Sequence, residues 1–227
     1  MYSQFSIHQT TSPQTITTMA PLKPFDKTAL GSPGHYGLQQ TALLLLDYSQ
    51  IIIDHVGAKA HSAVKVAATM RHWAQKHNIE VIHCLIGFDN MPPLPTYKEP
   101  TRLHNLIAHV QTSGGGDEPA EILGGRIADR TFYRRLGNLS AVHFADVKQY
   151  LKGKGIGSLV IMGLSTSGCV LRTSFEAAEE GFVVTVVSDG CADPEQEVHD
   201  FLFGRILQRT AFVMTAEEFR EGYGEIL

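Results

Sequence analysis

Short apolar runs recur along the chain, each closed by polar or turn-forming residues: Thr41–Leu46, Val81–Ile86, Ser158–Met162, Val183–Val187 and Ala211–Met214. Continuous runs of this length, rich in Leu, Ile and Val, are the pattern of strands buried on both faces. A weaker run, Thr131–Tyr133, is flanked by charge and predicts another strand. Between the runs the period changes. In His61–His77, the residues Val64, Ala67, Ala68, Trp73 and Ala74 fall close to one helical stripe, and Phe144, Val147, Tyr150 and Leu151 repeat the pattern later. Strands alternating with amphipathic helices read as βαβ units. The expected fold is therefore α/β, in three layers: a doubly wound, mostly parallel sheet of about six strands with helices on both faces.

Two stretches break this rhythm. Residues 1–36 begin rich in Ser, Thr and Gln and end in Gly31-Ser-Pro-Gly34, which predicts a flexible N-terminal extension before a domain at residues 37–227. Met19 is a candidate second start. The stretch from Asn90 to Asp129 carries Pro92, Pro93, Pro95, Pro100 and the run Gly114–Gly116, with a short helical pattern around Leu103–Val110. Loops this long inside a compact domain commonly serve as lids, so this one is expected to cover the site.

Composition narrows the partners. A chain of 227 residues that is 43% hydrophobic can bury one sizeable core, which fits a single domain. The net charge of −4, with Lys and Arg scattered, supplies no basic stripe for a phosphate backbone, so nucleic acid is not an expected partner. The apolar runs fall far short of the roughly 20 residues that span a bilayer, and no membrane association is expected. The first 20 residues hold neither an apolar signal core nor an Arg, which argues against a secretory or mitochondrial address. Cys84, Cys169 and Cys191 form no CxxC pair and leave an odd count, against a disulfide framework or structural zinc. A reducing, cytoplasmic location is expected.

In open parallel sheets, ligands sit beyond the carboxyl ends of the strands. Asp47 follows the first run, Arg134 and Arg135 follow Thr131–Tyr133, and Cys169 follows Ser158–Met162. Val170–Glu180 reads as a helix capped by Ser167-Gly168, with Cys169 in its first turn, where the helix dipole lowers a thiol pKa and free amides can hold an oxyanion. A lone Cys in such a place is also often a small buried residue. Asp47 reads either as a turn-capping carboxylate or as a general base for the thiol proton. An Arg beside it keeps the carboxylate ionised and binds anionic substrate, or is simply solvated.

Together these residues resemble the isochorismatase-like cysteine hydrolases, which include nicotinamidases and N-carbamoylsarcosine amidases. The resemblance covers roughly residues 40–220. Its strongest part is Gly163-Leu-Ser-Thr-Ser-Gly-Cys-Val-Leu-Arg-Thr173, followed by Glu176-Ala177, Gly181-Phe-Val-Val-Thr-Val-Val-Ser-Asp189 and Cys191-Ala-Asp193. Leu43-Leu-Leu-Leu-Asp47 is similar to the first strand with its catalytic Asp, and the stretches Glu197-Val-His199 and Thr215-Ala-Glu-Glu-Phe219 to the C-terminal helix and strand. The resemblance implies Cys169 as nucleophile, Asp47 as acid/base, a cis Leu164–Ser165 peptide, an oxyanion hole from the amides of Ser165 and Cys169, and a homo-oligomer, dimer or tetramer.

Two departures stand out. Where the family carries a catalytic Lys before Ser140-Ala141, this chain has Leu136 near the expected place. Arg134 is preferred as the substitute, because alternation puts it on the same side as Phe132, and Arg135 is left as a substrate-binding residue. The family's Gln two residues after the Asp is Ser49 here, with Gln50 following.

Metal-binding members carry an Asp and two His after the second strand. The stretch Gly87-Phe-Asp-Asn-Met-Pro92 has no His, so Asp89 reads as a solvated carboxylate, His83 as a satisfied strand histidine, His199 as a helix residue, and neither metal nor cofactor is expected. The function expected is hydrolysis of a small amide, ureido or related C–N bond through a thioester. The alternatives are an isochorismatase-type vinyl ether hydrolase using Asp47 as acid, and a noncatalytic binding or scaffold protein.

Overall fold

A computed structural model describes residues 23–88, 108–110, 112, 114–124, 129–135 and 137–224. All six expected strands form: β1 (Thr41–Leu46), β2 (Glu80–Gly87), β3 (Arg130–Arg135), β4 (Ser158–Gly163), β5 (Val183–Val187) and β6 (Phe212–Met214). They pair in parallel in the order β3-β2-β1-β4-β5-β6. This order runs outward from β1 in one direction and then returns to its other side, so the switch point lies between β1 and β4. Every residue of both strands is buried, which is why these runs are continuously apolar.

The helices are α1 (Gln50–Val56), α2 (Ala60–Lys76), α3 (Ala120–Leu123), α4 (Ala145–Gly153), α5 (Leu171–Glu179), α6 (Gln196–Phe201) and α7 (Ala216–Gly224). On one face of the sheet, α2 meets α7 through Trp73, whose ring lies 5.8 Å from Phe219 and 6.3 Å from Tyr223. On the other, α4 and α5 are tied by Lys148 and Lys152 to Glu180. The result is the three-layer architecture expected from the alternating pattern.

The stripe on α2 contains one residue that hydropathy does not predict. Arg71 is buried among Ala67, Met70 and Ala74 because its Nε donates to Asp129 Oδ2 at 2.6 Å. Asp129 also accepts from Gln75 at 2.9 Å and lies 3.2 Å from His83 Nε2. His83 Nδ1 is 2.9 Å from both carboxylate oxygens of Glu118. His83 is thus a satisfied strand histidine, as expected, and the network pins the segments on either side of α3 to the sheet.

Packing begins earlier than the expected boundary at residue 37. Residues 1–22 lie outside the described residues, but Ser32, Pro33 and Gly34 are buried. Phe25 meets the ring of Tyr223 at 5.5 Å, and Tyr223 donates its hydroxyl proton to Pro33 O at 3.0 Å. The polar composition of this stretch hid one anchoring aromatic. Much of the expected lid, residues 90–107, 111, 113 and 125–128, also lies outside the described residues, as does Asp89. The described part abuts α1, where Gln50 N donates to Asp117 O at 3.0 Å and Ile51 N to Gly115 O at 3.3 Å.

At the switch point Leu46 of β1 is in register with Gly163 of β4. A Cβ on Gly163 would stand 2.5 Å from both Leu46 Cβ and Leu46 O, so only glycine allows this approach. Gly163→Ala is expected to overpack the junction and cost about 1–3 kcal/mol. A lowered urea midpoint with unchanged slope is the measurement that checks it.

Candidate active site

Asp47 is the first residue past β1, held with φ 55° and its amide bonded to Cys84 O of the neighbouring strand at 3.1 Å. Left-handed backbone is uncommon outside glycine, and Asp is among the residues that tolerate it. The turn directs the carboxylate over the sheet edge instead of along the strand. Arg134, on β3, reaches it across the end of β2. Its Nη1 donates to Asp47 Oδ1 at 2.7 Å and to Cys84 O at 3.3 Å, its Nη2 to Asp47 Oδ2, and its Nε to Asn138 O at 2.7 Å. Both side chains are almost fully buried. Burial works against the guanidinium charge, yet Asp47 outweighs it and raises the Arg134 pKa further above its ordinary value.

Alternation along β3 decides between the two arginines. Arg134 is buried while Tyr133 and Arg135 are exposed, and Arg135 does not line the cavity. The Arg134–Asp47 fork uses two parallel N–H···O bonds, a geometry a lysine ammonium cannot reproduce. Leu136 lies outside the described residues.

Cys169 enters from the other side of the switch point. It lies in a π-type turn, Thr166–Val170, one step before α5, with Gly168 at φ −95° and ψ −107° breaking the helical path. The cap expected from Ser167-Gly168 is absent in that form, since no side chain caps the turn or α5. Ser167 N instead donates to Asp193 Oδ2 at 2.7 Å, and Thr166 Oγ1 lies 2.8 Å from His199 Nδ1 on α6. The loop is thus held from the β5 side. The Leu164–Ser165 peptide bond is cis, as the resemblance implied.

The Cys169 thiol donates to Leu164 O at 3.1 Å, and the Asp47 carboxylate, which lines the same cavity, is close enough for its charge to act on the sulfur. Burial first, and then the Asp47 charge, push its pKa well above the ordinary thiol value, while Arg134 pulls the other way. The expected lowering by a helix dipole is therefore overturned. Only 2% of the residue is exposed, and a thiolate there would lose its hydration beside a carboxylate. The resting pair is a neutral thiol and a carboxylate, the protonation states from which a base can take a proton during attack.

Asp47, Arg134, Ser165 and Cys169 all line one cavity of about 520 Å³, within the range of small-molecule sites. Ile51 and Ile52 from α1, Ile86 from β2, and Leu139 form apolar walls, while Asp54, His55, His109, Asp193 and Glu195 also face it. The sequence reading passed over α1, because three consecutive isoleucines show no period. The signal was present at its ends, in Ser49 before the helix and Gly57 (φ 81°) after it. Asp193, the last residue of the Cys191-Ala-Asp193 motif, also follows β5 at this sheet edge and carries no signal of its role in the sequence around it.

The fold places the chain among doubly wound α/β proteins with a cysteine at the strand ends. More narrowly, residues 41–218 match the Isochorismatase domain, and the chain belongs to the isochorismatase family of hydrolases. It is 27% identical over 140 residues to the probable hydrolase YcaC of Escherichia coli, covering 62% of each chain. In fold it is similar to a cysteine hydrolase from Pseudomonas syringae, with TM-score 0.69, 14% identity, and coverage of 85% of this chain and 96% of that one. It is also similar to N-carbamoylsarcosine amidase from Thermoplasma acidophilum, with TM-score 0.60, 17% identity, and coverage of 78% and 96%. The matched stretch spans 62% of YcaC's length and 29% of another curated relative. No helix among the described residues is long and apolar enough to cross a membrane, and no group of three or more His, Cys, Asp or Glu among them is arranged to hold a metal ion.

The buried thiols give the site a pH signature. Burial pushes Cys84 and Cys191 up to about 12, and Cys169 well above its ordinary value. In the unfolded chain these groups ionise near 8.5. Groups whose folded pKa is raised contribute stability below the unfolded pKa and lose it as pH climbs toward the folded one. Stability is expected to fall between about pH 9 and 12, by up to roughly 1.4 kcal/mol per pH unit per thiol. Urea unfolding at pH 8 and 10, in wild type and Cys191→Ala, checks this: the variant's loss across the interval should be the smaller.

Proposed function

We propose that this chain is a cysteine hydrolase that cleaves a small amide, ureido or related C–N bond through a thioester. The observation that carries the reading is the neutral Cys169 thiol in one small-molecule-sized cavity with the Asp47 carboxylate, which Arg134 grips and whose charge acts on the thiol. Asp47 takes the thiol proton as sulfur attacks the carbonyl carbon. The coupling is needed because a free thiolate is costly in this buried place. The backbone amides of Ser165 and Cys169 receive the oxygen of the tetrahedral intermediate. Asp47 then gives the proton to the nitrogen, the C–N bond breaks, and an amine and a Cys169 thioester result. Water, deprotonated by Asp47, attacks the thioester, and the collapsing intermediate expels sulfur, which recovers its proton to leave an acid and the free thiol.

Arg134 acts through Asp47. It fixes the carboxylate's orientation and offsets its charge without giving up a proton of its own. This reading also explains how Arg134 can substitute for the lysine that the resemblance implies near Leu136: what the step requires is a fixed cation, and Asp47 can serve in every proton transfer. A vinyl ether hydrolase would need the acid alone and has no use for a sulfur in the same cavity.

Mutation separates these chemistries. On a turned-over amide, Cys169→Ala and Asp47→Asn are each expected to lower kcat/KM by about 10³-fold or more, and the double variant should lose little beyond either single one, because both residues serve the same step. The comparison is made by steady-state kinetics on folded protein, verified by circular dichroism. Amide turnover that survives Cys169→Ala nearly intact would overturn the choice of nucleophile.

A further inference from the structure

We infer that the cavity admits uncharged and cationic amides and turns away anionic ones, a conclusion that rests on its reading as a thiol amidase site. An anionic substrate entering a low-dielectric cavity needs a cation with donors to spare. Arg134 is the one Lys or Arg among the described lining residues, and it is already occupied. Its Nε is bound to Asn138 O, both Nη1 hydrogens to Asp47 and Cys84 O, and Nη2 to Asp47. Of the five N–H donors a guanidinium carries, a single Nη2 hydrogen is left. Its charge is offset by the carboxylate that it grips.

With that pair neutral as a unit, the remaining Asp, Glu, Lys and Arg side chains among the described lining residues are carboxylates. Asp193 is buried, and its oxygens accept from the backbone amides of Ser167 at 2.7 Å and Glu195 at 3.3 Å. These dipoles stabilise the negative charge without cancelling it. Asp54 and Glu195 are exposed, and Asp54 Oδ1 accepts from the uncharged amide of Gln50 at 2.7 Å. The nearby cation, Lys59, does not line the cavity; its Nζ is 3.5 Å from Asp193 O and 3.3 Å from Pro194 O. Counted in full, it still leaves an excess of negative charge among the described residues around the cavity. His55 and His109 also face the cavity. The field at the mouth therefore favours a substrate with an apolar body for the isoleucine wall and either no charge or an amine. Isochorismate, a dicarboxylate, is the wrong charge for this entrance.

The experiment labels Cys169 with three methanethiosulfonates of similar size: aminoethyl (cationic), methyl (uncharged) and sulfonatoethyl (anionic). Rates are measured at pH 8 and low salt by peptide mass mapping, and each is divided by that reagent's rate with free 2-mercaptoethanol. The normalised cation-to-anion ratio is expected to be about tenfold or more. In Asp54→Asn/Glu195→Gln, whose sites are exposed and tolerant of substitution, it should fall at least about threefold. A wild-type ratio near one, or a ratio that the double variant leaves unchanged, would overturn the inference. Labelling requires no turnover, so the two readings fail separately. Absent selection alongside Cys169-dependent amide hydrolysis sinks the charge filter alone, and clear selection without such hydrolysis sinks the amidase reading alone.

Discussion

Arg134 and Asp47 form a buried ion pair that joins the ends of β3 and β1 across β2, and the site is built around it. Removing either ion from water costs several kcal/mol, and leaving one partner behind alone costs about 3–5 kcal/mol. The pair is tolerable because its lone pairs and protons are matched: two forked bonds between the side chains, with Cys84 O and Asn138 O taking other donors. That matching depends on the parallel register. Arg134 pairs with Ile86, two residues beyond Cys84, which itself pairs with Leu46 just before Asp47. A slip of one residue on β3 would turn Arg134 outward and bring Arg135 in at the wrong height.

From this pair the behaviour of the thiol follows. The Asp47 carboxylate, kept in place by Arg134, adds to burial in holding the Cys169 proton on sulfur. A thiol pushed up in this way is protected from chance oxidation and alkylation, since the thiolate is the reactive form. In the mechanism we propose, its reactivity is released only when a substrate carbonyl is positioned for attack and the proton can move to Asp47 in the same event. The loop that carries Cys169 is held by neighbours on the far side, Asp193 through Ser167 N and His199 through Thr166. Carboxylate and thiol are thus fixed from opposite edges of one switch point.

Much of this was legible in the sequence because burial on both faces leaves so plain a mark. β1 and β5 match their apolar runs residue for residue, and the rule that ligands sit at strand ends singled out Asp47, Arg134, Arg135 and Cys169, all of which line the cavity except the exposed Arg135. What escaped was whatever depended on partners distant in sequence. Arg71 interrupts an apolar stripe because Asp129 comes to meet it. Phe25 anchors a polar stretch because α7 offers a ring. The sign of the Cys169 shift was misjudged because a helix dipole is a local feature, whereas desolvation and the Asp47 charge exist only after folding. His55 and Asp193 show the same limit, since their relevance lies in facing a cavity that no sequence window contains.

The claim that stands or falls first is that amide cleavage passes through a thioester. Hydroxylamine partitioning tests it directly: amides sharing one acyl group but differing in the amine are hydrolysed with added hydroxylamine, and hydroxamate and acid are quantified. A common acyl-enzyme predicts a hydroxamate-to-acid ratio that is the same for every leaving amine, because the amine has departed before the nucleophiles compete. A ratio that changes with the amine, or acid formed with no hydroxamate at any concentration, would contradict the account.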